Sequence, residues 1–194
     1  DYPANAGAVY RIDNVKLVGA GAGAGGGAEI AVNGGLESGL TGWEATPNGG
    51  ISELSTAQAH TGVNSARLRA DVAANAGGAS FPDIKLANAG VGTVTNGQAV
   101  TVSFWTLTVE QTGAVPFFAQ LFTEQAGGGA SKTDFLIQPP TFLTTGGGWQ
   151  QHSFNVTLGP DASAGVSLLF KADCGATANC VLEVFIDDVS ITPL

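Results

Sequence analysis

The sequence predicts an all-β fold, a two-sheet antiparallel β-sandwich, and three observations carry that expectation. Runs that alternate apolar with polar residues, or that are rich in β-branched and aromatic ones, recur along most of the chain. Clusters of Gly, Pro and Asn separate these runs at short intervals, and no stretch sustains a helical period. Many strands joined by polar turns, with no helix to cover a sheet, bury one face each by packing as two antiparallel layers.

In chain order, strands are expected over 51–56, where ISELST follows a Gly pair, and over 65–72, where SARLRADV sets apolar against polar positions. The run 81–86 follows with Ile84 and Leu86. Successive side chains of a strand point to opposite faces, so the run 99–109 splits into Val100, Val102 and Phe104 against Thr101, Ser103, Trp105 and Leu107. The first set is core. The same parity divides 115–124 into Phe117, Ala119 and Leu121 against Phe118, Gln120, Phe122 and Glu124. Runs at 132–138, 149–158, 166–171 and 181–192 complete the set, with TNGQ, AGGGAS, QPP, TTGGG and LGPDASAG as the turns between strands.

Composition narrows the setting. The 194 residues suffice for one domain with a real core, not for a second complete one. Hydrophobic residues make up 44% and charged residues 12%, so Gly, Ser, Thr, Asn and Gln must cover the surface, the balance of a secreted β-protein. Sixteen acidic against seven basic residues give a net charge of −9, which argues against a nucleic-acid partner. No apolar run approaches the ~20 residues of a membrane span. With no basic-then-apolar leader, any export signal is expected to lie upstream or to have been removed.

Cys174 and Cys180 flank GATAN, a short segment between two apolar runs, at the spacing of a disulfide closing a hairpin mouth. The competing reading is two reduced, buried thiols. A zinc site is disfavoured, because His60 and His152 do not fall at ligand spacing with this pair.

The segment GAGAGAGGGA has nothing to bury and no period, and reads as a linker over 19–28. It divides a head over 1–18 from a body over 29–194. YRIDNVKLV in the head and VFIDDVSIT at the end of the body share the frame Ile-Asp-(Asn/Asp)-Val-x-(Leu/Ile), with Asp13 matching Asp187. The head therefore reads as the closing strand of a preceding, similar module. A lone closing strand has unpaired backbone groups, so residues 9–18 are expected to seek a sheet edge, with strand exchange between chains as one outcome.

Five words, in order, carry a family resemblance: NGGLESGLTGW, HTGVNSARL, VTVSFWTLT, GGGWQQHSFNVTL and VFIDDVSI. Together they resemble the carbohydrate-binding modules of families four, nine and twenty-two, jelly-roll domains appended to secreted polysaccharide-degrading enzymes. The resemblance covers the body from about Val32 to Ile191, and it implies a jelly roll, a structural calcium at one edge and a glycan cleft on a concave sheet. For the metal it implies Glu37 from the first word and Asp187 from the last, with Asp188 as the competing neighbour. It also implies backbone carbonyls in the turn between His60 and Gly62, the imidazole itself being dispensable. Calcium prefers six to eight hard oxygens, so such a site would clamp the first strand to the last. Alternatively, Glu37 caps a turn and Asp187 meets solvent.

If the strands pair as in that family, Trp105, Phe118, Gln120, Phe122, Glu124, Gln138 and Gln151 are expected to share the concave sheet. Aromatic rings beside amides and carboxylates suit sugar, since rings cover C–H faces while polar tips meet hydroxyls. Core packing is the competing reading for each ring, and for Trp43 and Trp149 it is the expected one. Phe142 stands in a Gly- and Pro-rich segment that could wall a cleft, as could the loop 124–135. Lys132 and Lys171 are expected to be solvated, although an acidic glycan such as alginate would need such groups.

No pair of carboxylates can be set across a cleft from sequence, and neither a G-x-S-x-G elbow nor a Cys-His nucleophile is present. The expectation is a non-catalytic, secreted module that binds polysaccharide (β-glucan, xylan or a marine glycan) and targets an attached catalytic domain. The alternative is a structural or adhesive spacer with no glycan cleft.

Overall fold

The computed structural model describes residues 27–194. The head over 1–18, its proposed strand exchange and all but the last two residues of the linker lie outside the described residues. Gly27, assigned by sequence to the linker, packs on Pro193: a Cβ on it would meet that ring at 2.7 Å.

Ten strands form the body: β1 (Trp43–Thr46), β2 (Ile51–Ser55), β3 (Ser65–Asp71), β4 (Asp83–Ala89), β5 (Ala99–Thr112), β6 (Phe117–Glu124), β7 (Ala130–Ile137), β8 (Gln150–Thr157), β9 (Val166–Ala172) and β10 (Val181–Pro193). Among the described residues there is no helix, and none long and apolar enough to cross a membrane. Sheet A has the order β1-β4-β9-β6-β7 and sheet B the order β2-β3-β10-β5-β8. Every pairing of strands is antiparallel. The sandwich is as expected; β1 was not foreseen, and β5 runs three residues past its expected end.

Alternation builds the core. Val100, Val102 and Phe104 of β5 and Phe117, Ala119 and Leu121 of β6 are all fully buried. They meet across the layers around Phe170 of β9, whose ring contacts Phe104 edge-on at 4.8 Å and lies 6.3 and 6.4 Å from Phe117 and Trp43. Trp43 is core, as expected, and its indole N–H donates to the Asn33 carbonyl at 3.2 Å. β5 and β6 lie in different sheets, so the short connection between them crosses from one layer to the other. That crossing decides where the candidate site residues fall.

The NGG word fastens the N-terminal segment to β10. Val189 N–H donates to the Gly34 carbonyl at 3.0 Å, and the Glu29 carboxylate accepts Ile191 N–H at 2.7 Å. Cys174 and Cys180 form a disulfide with Cα atoms 5.6 Å apart, in agreement with their spacing. On the outer face of sheet B, Arg67 bridges Glu53 and Glu183 at 2.9 and 2.7 Å, while Arg69 bridges Asp71 and Glu183 at 2.8 and 2.6 Å.

His152 of β8 lies against Phe104 and shares a 2.8 Å hydrogen bond with Thr106 Oγ1. Burial pushes its pKa below the ordinary 6.5. The unfolded chain therefore takes up this proton at higher pH than the folded one. The stability that the neutral ring contributes is full above about pH 6.5 and is lost as pH falls through the folded pKa. Urea midpoints measured between pH 8 and 5 should fall across that window, with the slope reduced in His152→Gln.

Candidate functional site

The outer face of sheet A is built around β6, where Phe118, Gln120, Phe122 and Glu124 alternate with core residues and are all half-buried. Register places Gln120 between Leu169 of β9 and Phe135 of β7, and Leu169 in turn opposite Lys85 of β4. Phe118 is opposite Lys171, and Phe122 is opposite Thr133. Phe135 is 50% exposed, an aromatic ring presented to solvent beside Gln120.

Both lysines of this face are already neutralised. Lys85 Nζ is 3.4 Å from Glu124 Oε1 and 6.0 Å from the centre of the Phe122 ring. Lys171 Nζ is 2.6 Å from Asp173 Oδ2 and lies over Phe81 and Phe118 at 5.2 and 5.9 Å. A hollow of about 590 Å³ opens at the Phe122 end, lined by Lys85, Phe122, Glu124, Ala130, Thr133 and Leu169. A second, of about 470 Å³, opens at the Phe118 end between the β5–β6 connection and the disulfide loop. β6 runs from one hollow to the other, and this stretch of the face, here called the trough, sets rings and polar tips in alternation, able to stack on sugar C–H faces while donating to and accepting from hydroxyls.

Four of the expected residues are elsewhere. Trp105 and Gln151 face each other on β5 and β8, in sheet B, so they do not share a sheet with Phe118, Gln120, Phe122 and Glu124. The parity of each strand was right, but the layer was not. Gln138 and Phe142 fall in the connection from β7 to β8, are exposed, and are not part of the lining at the Phe122 end. Trp149 is half-buried, not core: it meets the edge of His60 at 5.5 Å. Lys85 and Leu169 were missed because nothing in the sequence says that β4 and β9 are neighbours. The parity of KTDFLI offered Phe135.

Glu37 and Asp187, implied for a metal, both accept backbone N–H groups of the turn 60–64. Glu37 Oε1 accepts Val63 and Asn64 N–H at 3.0 and 2.9 Å, and a Cβ on Gly62 would strike that carboxylate. Asp187, fully buried, accepts N–H from His60, Thr61 and Asp188 at 2.8, 3.2 and 2.7 Å. Burial holds its carboxyl above the usual range, while the three amide donors pull the other way. The His60 imidazole is turned aside: Nδ1 is 2.6 Å from Asp188 Oδ2, and the ring stacks on Trp105 at 3.9 Å. Among the described residues no three His, Cys, Asp or Glu side chains gather as a metal cluster. Glu37 and Asp187 are oxygen donors of the class a hard cation takes, and here both accept amide N–H groups.

No family model matches the chain, and no curated protein matches it. Solved structures share its fold. The enzymatically active domain of tailspike protein 4 from bacteriophage CBA120 aligns with a TM-score of 0.62 at 12% identity over 86% of this chain and 21% of that one. This chain thus spans about a fifth of that tailspike chain. A family 61 carbohydrate-binding module in complex with β-1,4-galactotriose aligns at 0.54 and 15% identity, over 87% of this chain and 100% of that one. The Clostridium thermocellum xylanase 10B fragment holding a family 22 module and a GH10 module, complexed with xylohexaose, aligns at 0.57 and 15% identity, over 86% of this chain and 28% of that one. The chain has the jelly-roll fold of these carbohydrate-binding modules.

Proposed function

We propose that this domain binds a polysaccharide, without cleaving it, in the trough on the outer face of sheet A. The observation that carries the reading is the row Phe118, Gln120, Phe122 and Glu124 on β6, flanked by Phe135 and by two lysines already paired with carboxylates. The similar modules complexed with xylohexaose and β-1,4-galactotriose support a β-glucan, xylan or related neutral chain as ligand. One of them is joined to a GH10 module, which supports a targeting role for an attached enzyme. The disulfide supports an extracellular setting. The tandem reading of the head gains from topology, because the matching word at the end of the body lies in β10, a central strand that needs partners on both sides.

Affinity electrophoresis through gels containing laminarin, xylan, agarose or alginate tests the binding. Phe122→Ala should weaken retention about tenfold to thirtyfold, the order of a buried aromatic hot spot, with little change in Tm. Unchanged retention in this variant, or none in the wild type, rejects the trough.

Calcium belongs to the same proposal as a structural ion, held by Glu37, Asp187 and carbonyls of the turn between His60 and Gly62. Bound there, it would neutralise two carboxylates and tie the N-terminal word to β10. At a hundredfold excess over its Kd the ion would add about 2.7 kcal/mol, so Tm should rise by about 5–10 °C over the chelated protein. Glu37→Gln should remove that rise.

A further inference from the structure

The three tryptophans differ in one respect. Trp43 is buried and spends its N–H on the Asn33 carbonyl. Trp105 and Trp149 are half-buried, and among the described residues neither indole N–H has a protein acceptor. Neither is a buried polar atom left unpaired, so both face solvent. Gln151, directly opposite Trp105, is exposed with its amide equally unspent. His60 fixes the cluster, stacked on Trp105 at 3.9 Å and anchored by Asp188.

From this cluster the outer face of β5 and β8 continues as two further cross-strand rows, Ser103 opposite Ser153 and Thr101 opposite Asn155. These three rows carry no formal charge, in a chain whose net charge is −9. Three rows two residues apart span roughly 14 Å. Rings with free N–H groups, followed by hydroxyls and amides, make a surface for a ligand that is itself uncharged and rich in hydroxyls.

We propose that this strip is a second saccharide-binding surface, on the sheet opposite the trough, and that it takes a neutral glycan chain. It stands independently of the trough, whose residues are all on sheet A. A single module would then hold two chains back to back and gain avidity on a dense polysaccharide.

The trough contains Phe but no Trp, so tryptophan emission reports the strip selectively. Xylohexaose, β-1,4-galactotriose, laminarin and alginate are titrated into the folded protein. A neutral saccharide should change the emission of wild type and of Phe122→Ala alike, and alginate should not. Trp149→Ala or Gln151→Ala should weaken that response about tenfold, the loss of one or two hydrogen bonds and a ring. Gln151 is exposed and makes no side-chain hydrogen bond among the described residues, so its variant remains informative if Trp149→Ala unfolds. Gel retention with no emission change overturns the strip and leaves the trough standing. An emission response that survives in both variants overturns it as well. Absence of binding by either measure overturns both surfaces.

Discussion

Phe170→Ala is expected to cost about 3–5 kcal/mol, a large part of the total stability of a domain of this size. The ring is fully buried in the middle of β9 and touches Phe104 from sheet B and Phe117 and Trp43 from sheet A. Removing it leaves a hole between layers that are each held by hydrogen-bonded ladders and cannot collapse far. The midpoint of urea unfolding should fall steeply with the m-value unchanged. Lys171→Ala, one residue on and pointing outward, should cost less than about 1 kcal/mol, because a partly exposed ion pair contributes little. Equal losses at the two positions would mean that Phe170 is not the centre of the core.

Gly34→Ala comes next, at about 3 kcal/mol or more. Its backbone φ is ordinary, so the cost is steric: a Cβ would sit 1.8 Å from the Val189 carbonyl oxygen. The neighbour is the main chain of β10 at Val189, whose own N–H is bonded to the Gly34 carbonyl, and it cannot move aside as a side chain would. Gly147→Ala is the control, since its Cβ would meet only the mobile end of Gln150 at 3.1 Å. It should fall within about 0.5 kcal/mol of wild type. A chemical denaturation series on the two variants separates close approach from any general intolerance of alanine for glycine.

These two residues also mark what the sequence could disclose. Phe170 lies in VSLLFK, an apolar run bounded by turns, and Gly34 lies in a word whose resemblance to a family was visible. Strands from β2 to β10 were legible because alternation over seven or more residues is hard to mistake, or because turn words framed a shorter run. Trp43–Thr46 escaped, since four residues between Gly42 and Pro47 are too few to display a period. Face was legible as well: Phe118, Gln120, Phe122 and Glu124 do point outward together. Sheet membership was not. A period of two says which residues of one strand share a side, but not whether the next strand pairs with it or crosses to the other layer. Trp105 and Gln151 do share a face, but of sheet B, and were therefore assigned to the wrong surface. Lys85 and Leu169 belong to the trough through the β4–β9 and β9–β6 ladders, whose paired residues are 77 to 88 and 43 to 55 positions apart in sequence.

The place of β10 between β3 and β5 has a consequence for how the molecule comes into being. Sheet B has as its middle strand the last of the ten to be synthesised, so the layer cannot close before residues 181–193 have been made. Until residues 181–193 are free, β3 and β5 must wait with unpaired edges, the condition under which nascent β-proteins aggregate. Contacts this distant in sequence also place the protein among slow folders. Its yield in a cell should therefore respond to chaperones that shelter late-closing chains more than to changes that strengthen any single turn.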